Sequence, residues 1–420
     1  MKKRGVLSWL IITGVTLPLL LCGSVFAKEK FGIAFLGDLT GPLGFWNAPR
    51  LVGLQDAMEY VNETYGGIGG REVYLDWADT KSKIDIATSG YERLRSKGYL
   101  IWHSCGTGEQ QMLKARYEED RSQIFYTCSC SPNVIYPAGY VFGTCVYYPS
   151  EFGAFIDWLV ENWDYKKMGR KPRLAILTYP SGLGKVAEAP EFLNYAEKKG
   201  VDIVERMYVP FVTVDAVTPL MKAKKAGADW ITGILIYQTV PPFLNANYKL
   251  KLGLKFWMIT GGVDPVIISL SQPKEAALAM TGSTNWVLTW EDKPLMNIMR
   301  QIWEKKNRRP EDRGTSAILG WMNMMQTKSA IEDTLKRVGT WDKITPVELR
   351  KTSEGWDDLD VGGLGKVSYG KDKRGVQVVR MAKVMKVRVN GEDVVRWEYI
   401  SGWRKVPSLV PDKWKEPLQY

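Results

Sequence analysis

The sequence contains one histidine, His103, in 420 residues. That scarcity argues against most zinc sites and against most His-based acid–base relays. Other chemistry-bearing motifs are missing as well. There is no GxSxG, no HExxH, no GxGxxG after a strand and no GxxxxGK[ST]. Gly362-Gly363-Leu364-Gly365-Lys366 resembles a phosphate loop, but Val367 follows where Ser or Thr would hold Mg²⁺. Asp357, Asp358 and Asp360 could suggest carboxylate catalysis. They lie beside Gly362-Gly363 and read instead as a solvated acidic turn. The formal charge is +11, yet the chain has no arginine-rich arm and no recognisable nucleic-acid motif. With 45% hydrophobic and 25% charged residues it is neither disordered, collagen-like nor multispanning. No enzyme activity, metal, cofactor or nucleic-acid partner is expected.

What is present begins with an address. Lys2, Lys3 and Arg4 open the chain, and no charge follows until Lys28. Residues 7–21 are apolar, broken by Gly14 and Pro18, and Val25-Phe26-Ala27 offers a cleavage site before Lys28. This is the layout of a cleavable signal peptide spanning residues 1–27, which implies a periplasmic protein. An uncleaved anchor is the alternative. Removing the leader takes the formal charge from +11 to +8.

Four cysteines remain after it: Cys105, Cys128, Cys130 and Cys145, all within 41 residues. Export makes one or two disulfides plausible, and the three possible full pairings stay open. Cys128-Ser129-Cys130 is a CxC spacing, so neither a zinc ribbon nor a thioredoxin motif is indicated.

The remaining chain alternates strand and helix patterns. Residues 31–37 read as a buried strand, 51–65 as an amphipathic helix closed by Gly66-Gly67, and 72–78 as a second strand. A helix at 84–97, strands at 99–103 and 123–127 and a helix at 109–120 complete a first series. A second series follows: helix 151–163, strand 173–178, helix 186–199, strand 201–209, helix 214–226, strand 229–236, helix 240–252 and strand 255–260. Such alternation predicts βαβ units and parallel sheets. The break at 128–149, with three Pro and two Gly, predicts two α/β lobes joined by a crossover. Helices are expected at 294–306 and 315–338. Strands are expected at 364–369, 376–389 and 393–400, with Asn390-Gly391 as a hairpin turn.

In a parallel sheet, ligands bind outside the carboxyl ends of the strands. The loops there hold Asp38 to Gly44 with Phe45 and Trp46, Ser104 to Gly108, Cys128 to Ser131, and Tyr147 with Tyr148 at the crossover. The loop at 104–108 opens a helix. Its backbone N–H groups, the helix dipole and the Thr107 hydroxyl suit a carboxylate, although Gly106 and Gly108 serve equally well as a tight turn and cap. Trp46, Trp102, Trp286 and Trp290 fall near the expected cleft or hinge.

FGIAFLGDLTGPLGFW, GLQDAMEYVNE and GGIGGREVYLDWADT, followed by IWHSCGTG, IFYTCSCSP and YVFGT, resemble the periplasmic type I solute-binding proteins of the leucine/isoleucine/valine-binding kind. The resemblance covers roughly residues 29 to 370. It implies an α/β protein of two lobes, each a parallel-rich sheet flanked by helices, with a hinge between them. Lobe 1 would comprise 28–147 and about 287–370. Lobe 2 would comprise 148–286 and about 371–405, with 406–420 as a C-terminal strap. The resemblance further implies that Ser104, Cys105, Gly106 and Thr107 hold a ligand carboxylate, that Ser129 and Ser131 meet its remaining polar groups, and that Phe45 or Trp46 covers it. Tyr147, Tyr237 and an acid near Asp264 would complete the site.

The sequence departs from that pattern in one place. Where amino-acid binders carry Glu, this chain has Thr260-Gly261-Gly262, leaving Asp264 as the nearest acid. If Asp264 does not reach the cleft, amides, urea-like compounds and carboxylates without an amino group become candidate ligands. The expected function is capture of a small polar ligand by hinge closure and its delivery to an ABC permease of the inner membrane. A ligand-sensing module of the same fold that signals to a membrane partner is the alternative.

Overall fold

The computed structural model describes residues 29–414. The expected leader at 1–27 and the last six residues of the strap lie outside them. In chain order the first sheet is built from β1 (Lys30–Gly37), α1 (Gly44–Tyr65), β2 (Glu72–Asp79), α2 (Ile84–Arg95), β3 (Ile101–Cys105), α3 (Thr107–Asp120), β4 (Ile124–Thr127) and β5 (Val141–Gly143). The second series runs α4 (Tyr148–Glu161), α5 (Tyr165–Met168), β6 (Arg173–Thr178), α6 (Pro190–Lys198), β7 (Asp202–Tyr208), α7 (Val217–Lys225), β8 (Trp230–Gly233), α8 (Pro241–Lys249), β9 (Lys255–Met258), α9 (Pro265–Leu270) and β10 (Met280–Thr284). The remainder is α10 (Pro294–Lys305), α11 (Thr315–Val338), α12 (Pro346–Glu354), β11 (Leu359–Asp360), β12 (Lys366–Val367), β13 (Val378–Val389), β14 (Glu392–Tyr399) and β15 (Arg404–Lys405).

These elements form two large sheets and a small antiparallel pair, β11 with β12. One large sheet is parallel, in the order β2-β1-β3-β4-β5; the other runs β14-β13-β10-β9-β8-β6-β7. β1 is apolar on both faces because it is central and covered by helices on both sides. Strand register decides where the loops emerge. Gly37 pairs with Cys105 and Ser104 with Thr127, so the chain leaves β1, β3 and β4 side by side. In the second sheet Ile176 pairs with Thr232 and Gly233 with Met258, which aligns the exits of β6, β8 and β9. The chain passes to the second sheet after β5. It returns to the first after β10, where α11 packs on α1, and crosses again before β13. The crossing segments run together: Asn285 Nδ2 donates to the Thr144 carbonyl, and Val146 bridges Val376.

The structure differs from the sequence expectation at several elements. The segment 186–199 is a 3₁₀ turn followed by α6, because Pro190 cannot continue a helix and restarts one at its first turn. β5 has three residues inside the Pro- and Gly-rich break, too few for a periodic signal. β10, α9 and α12 carry no strong pattern and were not anticipated.

α1 packs backbone to backbone on α11. A Cβ on Gly320 would stand 2.2 Å from the Arg50 carbonyl oxygen, and one on Gly53 would stand 2.3 Å from that of Ala317. Backbone meets backbone here, so neither side can yield by a rotamer change. Gly320→Ala is expected to cost about 1–3 kcal/mol in urea unfolding. A loss below about 0.5 kcal/mol would show that the two helices can part.

Candidate functional site

The two sets of strand ends face each other across a cavity. Its first wall is Trp46, Cys105, Gly106, Thr107, Cys128, Ser129 and, from the crossing segment, Cys145 and Tyr148. The opposite wall is Leu183, Ile234, Leu235, Ile236, Ile259, Thr260 and Gly261, and Trp286 closes one side. The polar groups thus gather mainly on the first wall and the second is mostly aliphatic. No carboxylate lines the cavity.

The polar wall is built from the loops after β3 and β4. Gly106 has φ of +135°, a conformation that glycine tolerates, and a Cβ there would strike the Glu109 carboxylate at 2.6 Å. The Gly106 N–H donates to Ser129 Oγ at 3.0 Å, joining the two loops. A Cys105–Cys128 disulfide joins them covalently. Thr107 starts α3, so the positive end of that helix opens on the cavity. Glu109, in the first turn, is steadied by the Thr80 hydroxyl at 2.8 Å, and burial raises its pKa.

Behind this wall lies a buried cation. Arg50 projects from α1 and is fully buried. Its Nη1 donates to the Ser104 carbonyl at 2.8 Å, while Nε and Nη2 donate to Asn323 Oδ1 at 2.9 and 2.6 Å. No carboxylate pairs with it among the described residues. Burial lowers its pKa to about 10, so it remains charged at neutral pH. A buried guanidinium without a counter-ion makes the nearby cavity favourable for an anion.

Contacts between the lobes shut the cleft. Trp46 reaches across to Gly261, and both line the cavity. Pro49 has no N–H, which leaves the Phe45 carbonyl without its helical donor. Tyr237 supplies the missing bond from the other lobe: its hydroxyl donates to Phe45 O at 2.6 Å, and its ring meets those of Phe45 and Trp46. Tyr237 and Phe45 therefore act beside the cavity and do not line it.

Asp264 corrects the expectation of an acid in the cleft. Its carboxylate accepts from Val266 N at 2.8 Å and from Thr315 N at 2.7 Å, capping α9 and α11. It is buried at the helix ends, outside the cavity wall. The buried acid nearest the Thr260 loop is instead Glu151, on α4. Its Oε1 accepts from Thr260 N at 2.7 Å and from the Thr260 and Ser283 hydroxyls, whereas Oε2 makes no hydrogen bond. Burial raises the Glu151 pKa to about 7, against the lowering effect of these three donors. Sequence reasoning missed it, since α4 carries three acids and only packing shows that Glu151 is the buried one.

Three other expected residues lie off the cavity. Ser104 turns its hydroxyl toward Gln110 and gives its carbonyl to Arg50. Ser131 is buried with its hydroxyl unpaired. Tyr147 packs edge-on against Tyr136 and lines a separate hollow with Val406 and Val410. Tyr147 is the N-cap of α4 and Tyr148 its first residue, and of the two Tyr148 faces the cavity. Of the four tryptophans expected near the cleft, Trp46 and Trp286 line the cavity; Trp102 is core and Trp290 lies on Arg396. His103 is a core residue bonded to Thr327, and burial drives its pKa well down.

With this geometry in view, the family can be stated. The profile of the periplasmic binding proteins matches residues 30–390, and the chain belongs to that family, whose members bind solutes without transforming them. Among solved structures, a branched-chain amino acid ABC transporter protein from Thermus thermophilus with bound valine is similar at TM-score 0.79 and 18% identity, covering 91% of this chain and 98% of that one. A fatty acid ABC transporter substrate-binding protein from Thermomonospora curvata is similar at 0.72 and 17%, covering 91% and 93%. A solute-binding protein from Rhodopseudomonas palustris in complex with p-hydroxybenzoic acid is similar at 0.70 and 16%, covering 91% and 98%. No curated relative matches the chain in sequence.

Glu151 gives the site a pH signature. Between its unfolded value near 4.5 and about 7, the folded chain holds a proton that the unfolded chain has released. Stability therefore falls as pH rises through that window, by up to about 3 kcal/mol. Glu151→Gln is expected to flatten this fall in urea unfolding measured from pH 5 to 8. Parallel pH profiles for the two proteins would overturn the assignment.

Proposed function

We propose that this periplasmic binding protein captures its ligand outside the inner membrane and delivers it to an ABC permease, and that the ligand is a small carboxylate with an apolar or aromatic body. The observation that carries the ligand class is the one-sided cavity. An unpaired buried cation and a helix N-terminus stand behind one wall, aliphatic side chains form the other, and no carboxylate lines either. An α-ammonium would be left without a counter-charge, a costly arrangement in a dry site. The fatty acid and hydroxybenzoate binding named for two structural neighbours supports the same class, and the valine of a third is the competing case.

On this reading Cys105, Gly106, Thr107 and Ser129 receive the carboxylate and Trp46 covers the body. Phe45, Ser104, Ser131, Tyr147, Tyr237 and Asp264 shape or close the site without touching the ligand. Closure would bring 28–147 with about 287–370 against 148–286 with about 371–405. A ligand that touches both walls favours the shut state.

A thermal-shift panel tests the ligand class. Aliphatic and aromatic carboxylates should raise Tm, and their primary amides at the same concentration should not. A preference for valine or leucine over the matching carboxylates would overturn it. Tyr237→Phe removes a bond between the lobes that exists only when the cleft is shut. Affinity for a carboxylate hit should weaken about fivefold, equivalent to about 1 kcal/mol. Unchanged affinity would mean that this bond does not favour closure.

A further inference from the structure

The two cysteines outside the disulfide are buried in the same region. Cys145 lies in the crossing segment and lines the ligand cavity. Cys130 lies in the loop after β4, one residue from Ser129. Its Sγ stands 3.3 Å from the backbone nitrogen of Cys145 and 3.1 Å from its carbonyl oxygen. Those contacts put the Cys130 sulfur directly against the Cys145 backbone. A disulfide joins cysteines whose Cα atoms lie about 4.4–6.8 Å apart, and a sulfur resting on its partner's backbone fits that spacing.

We propose that Cys130 and Cys145 are a modification site that closes into a second disulfide. The Cys105–Cys128 bond already joins the loops after β3 and β4. The second bond would tie the β4 loop to the first crossing segment and frame three segments of the cavity wall covalently. The inference depends on an oxidising compartment and is independent of the ligand class.

The reaction is ordinary thiol–disulfide exchange with an exported disulfide carrier. The Cys145 sulfur, reached through the open cleft, attacks one carrier sulfur. A mixed disulfide forms and the first carrier thiol leaves. Cys130 then attacks the Cys145 sulfur, and the second carrier thiol leaves. Two protons and two electrons pass from the protein to the carrier. Burial and the adjacent Cys145 side chain hold the Cys130 thiol well above its ordinary pKa, so the second step is the slow one.

The test uses the native exported chain treated with diamide, which takes up the two electrons and two protons. The protein is then unfolded, alkylated with iodoacetamide and peptide-mapped without reduction. Cys130 and Cys145 should lose all label and appear as one cross-linked peptide pair, and Tm should rise by about 5 °C. Cys130→Ser should leave Cys145 labelled and abolish the rise. A control chain oxidised while unfolded in guanidinium shows that the reagent acts. If that control oxidises while Cys130 and Cys145 of the native chain stay fully labelled, the proposal fails. It fails equally if either cysteine cross-links to a different one. Because the map reads the wild-type chain, the result does not depend on whether the variant folds.

Discussion

The Arg50 guanidinium is the constraint on which the binding wall depends. It is fully buried, it bonds α1 to α11 through Asn323, and it grips the Ser104 carbonyl at the end of β3. Desolvating a guanidinium without a carboxylate is expensive, and its three neutral hydrogen bonds offset only part of that cost. The loop it holds is the loop that presents Gly106 and Thr107 to the cavity. The interaction that anchors the polar wall thus also sets its electrostatic preference. The backbone contact of Gly53 and Gly320 lets α1 and α11 approach closely enough for Arg50 to reach Asn323.

Closure rests on a different set of bonds. Pro49 leaves a carbonyl free on α1, and Tyr237 completes it from the other lobe. Asp264 caps α9 in its own lobe and α11 in the opposite one. Each bond is worth about 1 kcal/mol, so a few of them shift an open–closed equilibrium without locking it. A binding protein must release its cargo, and many modest contacts suit that better than a few strong ones. Glu151 stands apart from both sets. It is an acid placed behind the aliphatic wall, where the three donors on one oxygen only partly compensate its burial.

Much of this was legible in the residues. β1, β6 and the hairpin at Asn390-Gly391 carry strong local patterns, and the structure places them close to the expected bounds, whereas α1 begins at Gly44 and not at 51 and takes in Phe45 and Trp46. The loops at 104–107 and 128–129 could be located because strand order fixes where parallel strands end. Weakly patterned elements were not legible. β5 has three residues, and α12 is nine residues long and packs chiefly on α11. Side-chain direction was also hidden. Ser131, Tyr147 and Asp264 lie in the expected segments but turn away, because contacts remote in sequence set their direction.

The amino-acid sequence by itself determined the α/β class, the two-lobe division and the loops that could meet a ligand. Those properties follow from periodicity, glycine placement and strand order, which are local or nearly so. Only the tertiary structure decided which sulfurs pair, that Asp264 is a helix cap, and that Glu151 stands behind Thr260 from 109 residues away. It also decided that Arg50 has no counter-ion among the described residues. Each of these is a contact between segments remote in sequence. Its existence depends on the packing of whole helices and sheets, which no local pattern records.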